Sequence, residues 1–154
     1  MKRMTWMMTA LVCLGLLASG CATAKLETPT GFAHHDEGQR YDQRISDGEG
    51  VVIAVRSEKN RPRGDLSYWS AALDVQLRNT GYEPISHVDV RSADGREGKQ
   101  LRYVIDSGGR ELIYWLSVFV TDGRVVVVEA GGDATFFEPK AAQVEAAIAS
   151  LTVG

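Results

Sequence analysis

Four adjacent residues, His34-His35-Asp36-Glu37, form the densest group of potential metal ligands in the chain. Imidazole and carboxylate suit zinc or another transition metal. Their spacing works against a shared ion, because neighbours on a strand point to opposite faces. The third histidine, His87, has to arrive from a distant segment. The same three histidines are the only bases available for a Ser-His-Asp arrangement, and no Gly-x-Ser-x-Gly elbow accompanies them. His34, His35 and His87 are therefore weak metal candidates, and no metal, no catalytic residue and no enzyme activity is assigned. Small-ligand or metal binding around His34-His35-Asp36-Glu37 is the alternative to the reading reached below.

Two glycine pairs occur in Asp106-Ser107-Gly108-Gly109-Arg110 and Glu129-Ala130-Gly131-Gly132-Asp133. No Lys-Ser/Thr follows either pair and no helix opens there, so both are read as hairpin turns and not as phosphate loops. Lys59-Asn60-Arg61-Pro62-Arg63-Gly64 gathers three cations. As a solvated loop it needs no partner; as a docking loop, Arg61 and Arg63 would each offer a fork to an acidic partner or a glycan. Tyr114-Trp115 places one ring on each side of a strand. Core is the first expectation for both, and a ring that no helix covers becomes a partner contact.

The elements that must position these residues are marked by turns. Asp47-Gly48, Asp94-Gly95, Ser107-Gly108-Gly109, Asp122-Gly123 and Gly131-Gly132-Asp133 punctuate the chain. Between them, residues 51–55, 85–90, 101–105, 112–120 and 125–128 are rich in β-branched and aromatic residues, and the last three predict an antiparallel meander. Arg102 and Val104 alternate with Leu101, Tyr103 and Ile105, which predicts one wet and one packed face. Residues 112–120 and 125–128 are apolar on both sides, so that part of the sheet needs cover on both faces.

Two helices supply it. Asp65 is an N-cap and Gly81 a stop for a helix to about Thr80, with Leu66, Trp69, Leu73 and Leu77 on one stripe. Pro139 suits a first helical turn, and Val144, Ile148 and Leu151 form the apolar edge of a helix to about Leu151. The fold class is α+β, a mostly antiparallel sheet covered by helices.

The chain opens Met1-Lys2-Arg3, followed by an uncharged apolar stretch from Met4 to Leu17. This is the pattern of a secretory leader, too short to span a bilayer comfortably. Leu17-Ala18-Ser19-Gly20-Cys21 resembles the lipobox of bacterial lipoproteins, with Ala18 where Leu is commoner. That resemblance implies cleavage before Cys21 and acylation of its thiol, often with a further palmitate-like chain on the new amino terminus. Ala22-Thr23-Ala24 leaves a plain leader cleavage open. Each buried CH₂ of a lipid contributes about 0.8 kcal/mol, so two or three chains anchor stably.

Three segments follow from this reading: a leader at 1–20, a flexible tether at 21–30 and a single domain at 31–154. Without residues 1–20 the chain has 134 of its 154 residues and a net charge of −5, against −3 for the whole. That charge argues against nucleic acid and gives no overall attraction to an anionic membrane. The other cysteine, Cys13, lies in the leader, so the domain has neither disulfide nor free thiol.

The early Gly31-Phe32, the Trp69-containing helix, the strands through Tyr114-Trp115 and the ending from Phe136-Phe137-Glu138 to Ala149-Ser150-Leu151-Thr152-Val153 resemble the Mog1/PsbP-like group. The resemblance implies an α/β/α sandwich and an accessory, assembly or binding role, with no catalytic residues and no cofactor beyond the lipid on Cys21. The expected function is a non-enzymatic, lipid-anchored accessory domain that binds an envelope protein. The expected place is the periplasmic side of the outer membrane, since Ala22 after Cys21 resembles the enterobacterial sorting pattern in which a residue other than Asp implies the outer membrane.

Overall fold

The computed structural model describes residues 24–35 and 40–154. Residues 1–20, expected to be a leader, and Cys21, Asp36 and Glu37 lie outside the described residues. Along the described chain run β1 (Ala33–His34), β2 (Gln43–Ser46), β3 (Val52–Lys59), α1 (Leu66–Asn79), β4 (Glu83–Arg91), β5 (Glu97–Asp106), β6 (Glu111–Val120) and β7 (Arg124–Asp133). A short α2 (Ala134–Phe137), a 3₁₀ turn (Glu138–Lys140) and α3 (Ala141–Ala149) follow. The seven strands form one antiparallel sheet in the order β1-β2-β3-β7-β6-β5-β4. Strands β5 to β7 make the expected meander, β4 extends it at the outer edge, and β7 then pairs with β3, with Lys59 opposite Arg124 and Val52 opposite Gly131.

Side chains alternate across the sheet and fill a core on each face. On one face, Leu101, Tyr103, Leu116, Val118, Val125 and Val127 pack under Leu66, Trp69, Leu73 and Leu77 of α1, the stripe read from the sequence. Asp65 caps α1 by accepting the Tyr68 amide at 2.8 Å. On the other face, Ile53, Val55, Trp115, Phe119, Val126 and Val128 pack under Phe137, Val144, Ile148 and Leu151. The architecture is therefore α+β, a sheet between helical layers.

Four local expectations are corrected. The stretch assigned to a tether is packed from Ala24 onward. Ala24 and Leu26 are buried in the second core, and Lys25 and Thr152 exchange backbone hydrogen bonds of 3.2 and 2.9 Å. The Gln43 amide also accepts from the Leu26 N–H at 2.9 Å and donates to the Leu26 carbonyl at 3.1 Å. Three residues alternating in, out and in are too few to register as a strand in a composition dominated by Ala and Thr.

Gly131 and Gly132 lie inside β7, not in a turn. A Cβ on Gly131 would stand 2.9 Å from the Ile113 carbonyl oxygen, and one on Gly132 3.3 Å from Gly50 O. These glycines answer close backbone approach, which mimics a turn signal in sequence. The predicted turn at Gly108 and Gly109 is real, with φ of 65° and 83°.

The single helix expected from Pro139 is divided: a short α2 opens ahead of it at Ala134, where Asp133 accepts the Thr135 amide at 3.0 Å, and α3 opens at Ala141. Pro139 lacks the N–H that a continuous helix requires, and the chain passes through the 3₁₀ turn before α3. Finally, the face of β5 expected to be wet is covered. Arg102 lies over the Trp115 ring at 4.0 Å and bonds Glu145 of α3 at 2.6 Å. Beside it, Gln100 donates to Ser117 at 3.0 Å in the interior.

Candidate functional site

Helix α1 packs chiefly over β5 and β6, and the outer strand β4 stays largely exposed. A groove of about 920 Å³ lies between them, lined among others by Ser70, Asp74, His87, Asp89, Lys99 and Leu101. His87 reaches it because it pairs with Leu101 across β4 and β5, so both residues share the face under α1. The walls carry their charges in pairs, with Lys99 2.7 Å from Asp89 and Arg91 3.2 Å from Glu97.

Asp74 organises the floor. Its carboxylate accepts from the Tyr103 hydroxyl at 2.6 Å and from Arg78 Nε at 3.1 Å, and His87 Nε2 stands 3.5 Å away. Ser70 sits beside this group, but its hydroxyl donates back to the Leu66 carbonyl of its own helix. The arrangement holds an imidazole at the lip of a cleft with balanced charge. It offers recognition by hydrogen bonds and ion pairs.

Burial is the largest single influence on Asp74 and disfavours its charge. The hydrogen bonds from Tyr103 and Arg78, with the positive charge of Arg78, together outweigh it and hold the carboxyl below its usual 3.8. Burial, and then Asp74, push the Tyr103 hydroxyl up in turn. A depressed folded value means that the ionised carboxylate stabilises the fold above the usual carboxylate range. That contribution is lost as the pH falls through the folded value. The stability difference between the chain and Asp74→Asn, measured by urea unfolding, is expected to be full near neutrality and to narrow as the pH drops below 3.8. Tyr103→Phe is expected to cost about 1–3 kcal/mol at neutral pH, since it leaves a carboxylate short of one partner.

The histidines do not meet. His34 bonds Thr28 Oγ1 at 2.7 Å and His35 contacts Ser46 Oγ, both at the β1 edge, while His87 is on β4 at the opposite edge. Among the described residues no three His, Cys, Asp or Glu side chains are grouped to hold a metal.

Of the four candidate partner residues, Trp115 is corrected: it is only 6% exposed and packs edge-on against Phe137 at 4.9 Å. The helical layer of α2 and α3 covers it. Tyr114, on the other face, is half-buried and donates to Glu129 at 2.7 Å. Burial and then the Glu129 charge push its hydroxyl up. It lines a shallower depression of about 400 Å³ beyond the reach of α1, with Tyr41, Val52, Tyr82 and Gly131. Arg61 is exposed, and Arg63 pairs with Asp122 at 3.0 Å in solvent, where such a pair contributes little.

Two residues escaped the sequence reading. Asp74 shows in sequence only as an i,i+4 partner of Arg78, and its contacts to Tyr103 and His87 depend on strand register. Asn60 looks like one more polar residue in a basic loop, yet it is buried at the junction of that loop, α1 and the β6–β7 turn.

No family model matches the chain, and no curated protein matches it in sequence. Among solved structures it is similar to LpqN of Mycobacterium tuberculosis, a protein involved in cell envelope biogenesis. The TM-score is 0.68 at 14% identity, over 84% of this chain and 82% of that one. It is also similar to the cyanobacterial PsbP of Synechocystis, with a TM-score of 0.60 at 15% identity, over 86% of this chain and 87% of that one. At these identities the likeness is one of fold, and the fold is the Mog1/PsbP-like α+β sandwich.

Proposed function

We propose that this protein is a lipoprotein of the bacterial envelope, anchored through Cys21, whose domain is a non-enzymatic accessory that binds an envelope protein. Four large apolar side chains are exposed in the described domain, and three lie on the two elements that bound the groove. They are Tyr68 (48% exposed) and Val75 (57%) on α1, and Ile85 (58%) on β4. This observation carries the reading. None of the three lines the groove itself, but exposed apolar residues on the two elements that flank a groove of paired charges resemble the composition of a protein interface. The involvement of LpqN in cell envelope biogenesis agrees with an envelope role. The leader and the lipobox-like residues 17–21 support the anchor, Ala22 supports the outer membrane facing the periplasm, and no cofactor beyond the lipid is required.

Crosslinking in the native host, with mass spectrometry of the captured proteins, tests this. One reproducible envelope partner is expected, captured at least about tenfold less with Val75→Glu/Ile85→Glu, because hot-spot apolar contacts dominate such interfaces. Cys21→Ala is expected to reduce capture by releasing the protein from the membrane. Equal capture by all three forms, or no partner with any, overturns the reading.

A further inference from the structure

The three cations of the basic loop belong to a larger set that only the fold assembles. Asn60 N–H bonds Gly123 O at 3.1 Å, and Lys59 pairs with Arg124, so the loop lies against the β6–β7 turn. Across a depression of about 670 Å³, Arg63 faces Arg96 of the β4–β5 turn. Lys59, Arg61, Arg63 and Arg96 are all exposed at this one end of the sheet. Among the described residues no ion pair engages Lys59, Arg61 or Arg96. The neighbouring acids are occupied within the domain. Asp65 caps α1, Asp122 pairs with Arg63, Glu58 pairs with Arg56 at 3.7 Å and Glu97 with Arg91 at 3.2 Å, and Asp94 accepts the Val153 and Gly154 amides at 3.1 and 3.2 Å. An end with uncommitted cations stands out on a chain of net negative charge.

The anchor leaves the domain at this same end. Lys25 pairs antiparallel with Thr152, and Glu27 N–H bonds Ser150, so the chain preceding Lys25 runs toward Val153 and Gly154. Those two residues are held by Asp94, and Arg124 donates to the Val153 carbonyl at 2.9 Å. Ala24 is already buried in the core. Three peptide steps separate it from Cys21, and in any conformation they reach at most about 11 Å. That is close to the Debye length of about 8 Å at physiological ionic strength, within which fixed cations feel a charged surface.

We propose that the basic end formed by residues 59–63 and Arg96 docks on anionic phospholipid headgroups of the membrane into which Cys21 inserts its lipid. The inference rests on the anchor proposed above and specifies the face it presents. The domain is pressed to the bilayer by its β4–β5 and β6–β7 turns. The β5–β6 turn points away. The groove between α1 and β4 runs from the membrane outward and is left open along its length.

The test uses the full chain expressed with its own leader, purified from membranes and reconstituted in phosphatidylglycerol or phosphatidylcholine vesicles holding a headgroup-labelled acceptor. Intact mass reports the lipid on Cys21. A single introduced cysteine, Ala93→Cys in the near turn or Ser107→Cys in the far one, carries the donor dye; the ten-residue β5 sets the two turns about 30 Å apart. On phosphatidylglycerol, energy transfer from the near site is expected to exceed that from the far site by about threefold or more. This ratio is expected to fall by about half in phosphatidylcholine, at high salt, or with Arg61→Glu/Arg63→Glu/Arg96→Glu.

A chain recovered without lipid overturns the anchor and the docking with it. A lipidated chain whose two sites transfer alike, or whose ratio ignores charge reversal, overturns the docking and leaves the anchor standing.

Discussion

Phe137→Ala is expected to lower the stability of the domain by about 3–5 kcal/mol, and Phe136→Ala by less than about 1 kcal/mol. The two residues are adjacent and identical in sequence, so only their surroundings separate them. Phe137 is fully buried, seated edge-on to Trp115 at 4.9 Å in the core shared with Val144 and Ile148. Phe136 is 40% exposed on the outer side of the same short helix. Truncating Phe137 removes its transfer free energy and leaves a cavity between sheet and helix. That cavity cannot collapse easily, because the Trp115 ring is held from above by Arg102. Urea unfolding followed by Trp fluorescence checks both variants. Similar midpoints for the two would mean that α2 does not seat Phe137 in this core.

Asn60→Ala is expected to cost about 2–4 kcal/mol, a large effect for one polar residue. Its amide donates to the carbonyls of Gly64 and Thr121, each at 3.0 Å. Its side-chain oxygen accepts from the Gly64 amide at 2.9 Å and from Trp69 Nε1 at 2.8 Å. One side chain thus joins the basic loop, the first turn of α1 and the β6–β7 turn. Removal leaves two carbonyls and two N–H groups short of a partner at once, and no single water can replace all four bonds in the same geometry. Asn60→Asp preserves the shape but loses both donors, and it is expected to be nearly as damaging. The arginines beside it are exposed, and Arg61→Ala is expected to change stability by less than about 0.5 kcal/mol. Urea midpoints of the three variants separate the buried residue from its charged neighbours.

These paired contrasts show how far the sequence could be read. Helix α1 was legible because its cap, its stripe and its stop are all local: Asp65, the spacing of Leu66, Trp69, Leu73 and Leu77, and Gly81. The hairpins at Asp94-Gly95, Gly108-Gly109 and Asp122-Gly123 were legible for the same reason. The continuous apolar runs in β6 and β7 required helices on both faces, and the structure has them. The two-residue β1 and the four-residue β2 were not legible, since neither is long enough to display alternation. Gly131 and Gly132 were misread because a glycine pair signals a turn and a close backbone approach in the same letters.

The sequence by itself determined the local elements, the two-sided burial of the central strands and hence the α+β class. It also contains the leader-like residues 1–20 and the lipobox-like residues 17–21 on which the proposed anchor stands. Tertiary structure alone decided that Trp115 is core while Tyr114 is half-buried beside Glu129, and that Asp74 meets Tyr103 and His87. It also decided that Ala24 to Leu26 belong to the domain, and that Lys59, Arg61 and Arg96 stand at the end of the sheet where Ala24 lies beside the C-terminal residues. The physical reason is the return of β7 to lie beside β3. Local periodicity fixes what each segment becomes, but that pairing brings residues 59–63 onto the turn at 121–124. Such long-range register is set by the fit of the whole core, and no spacing within a single segment encodes it.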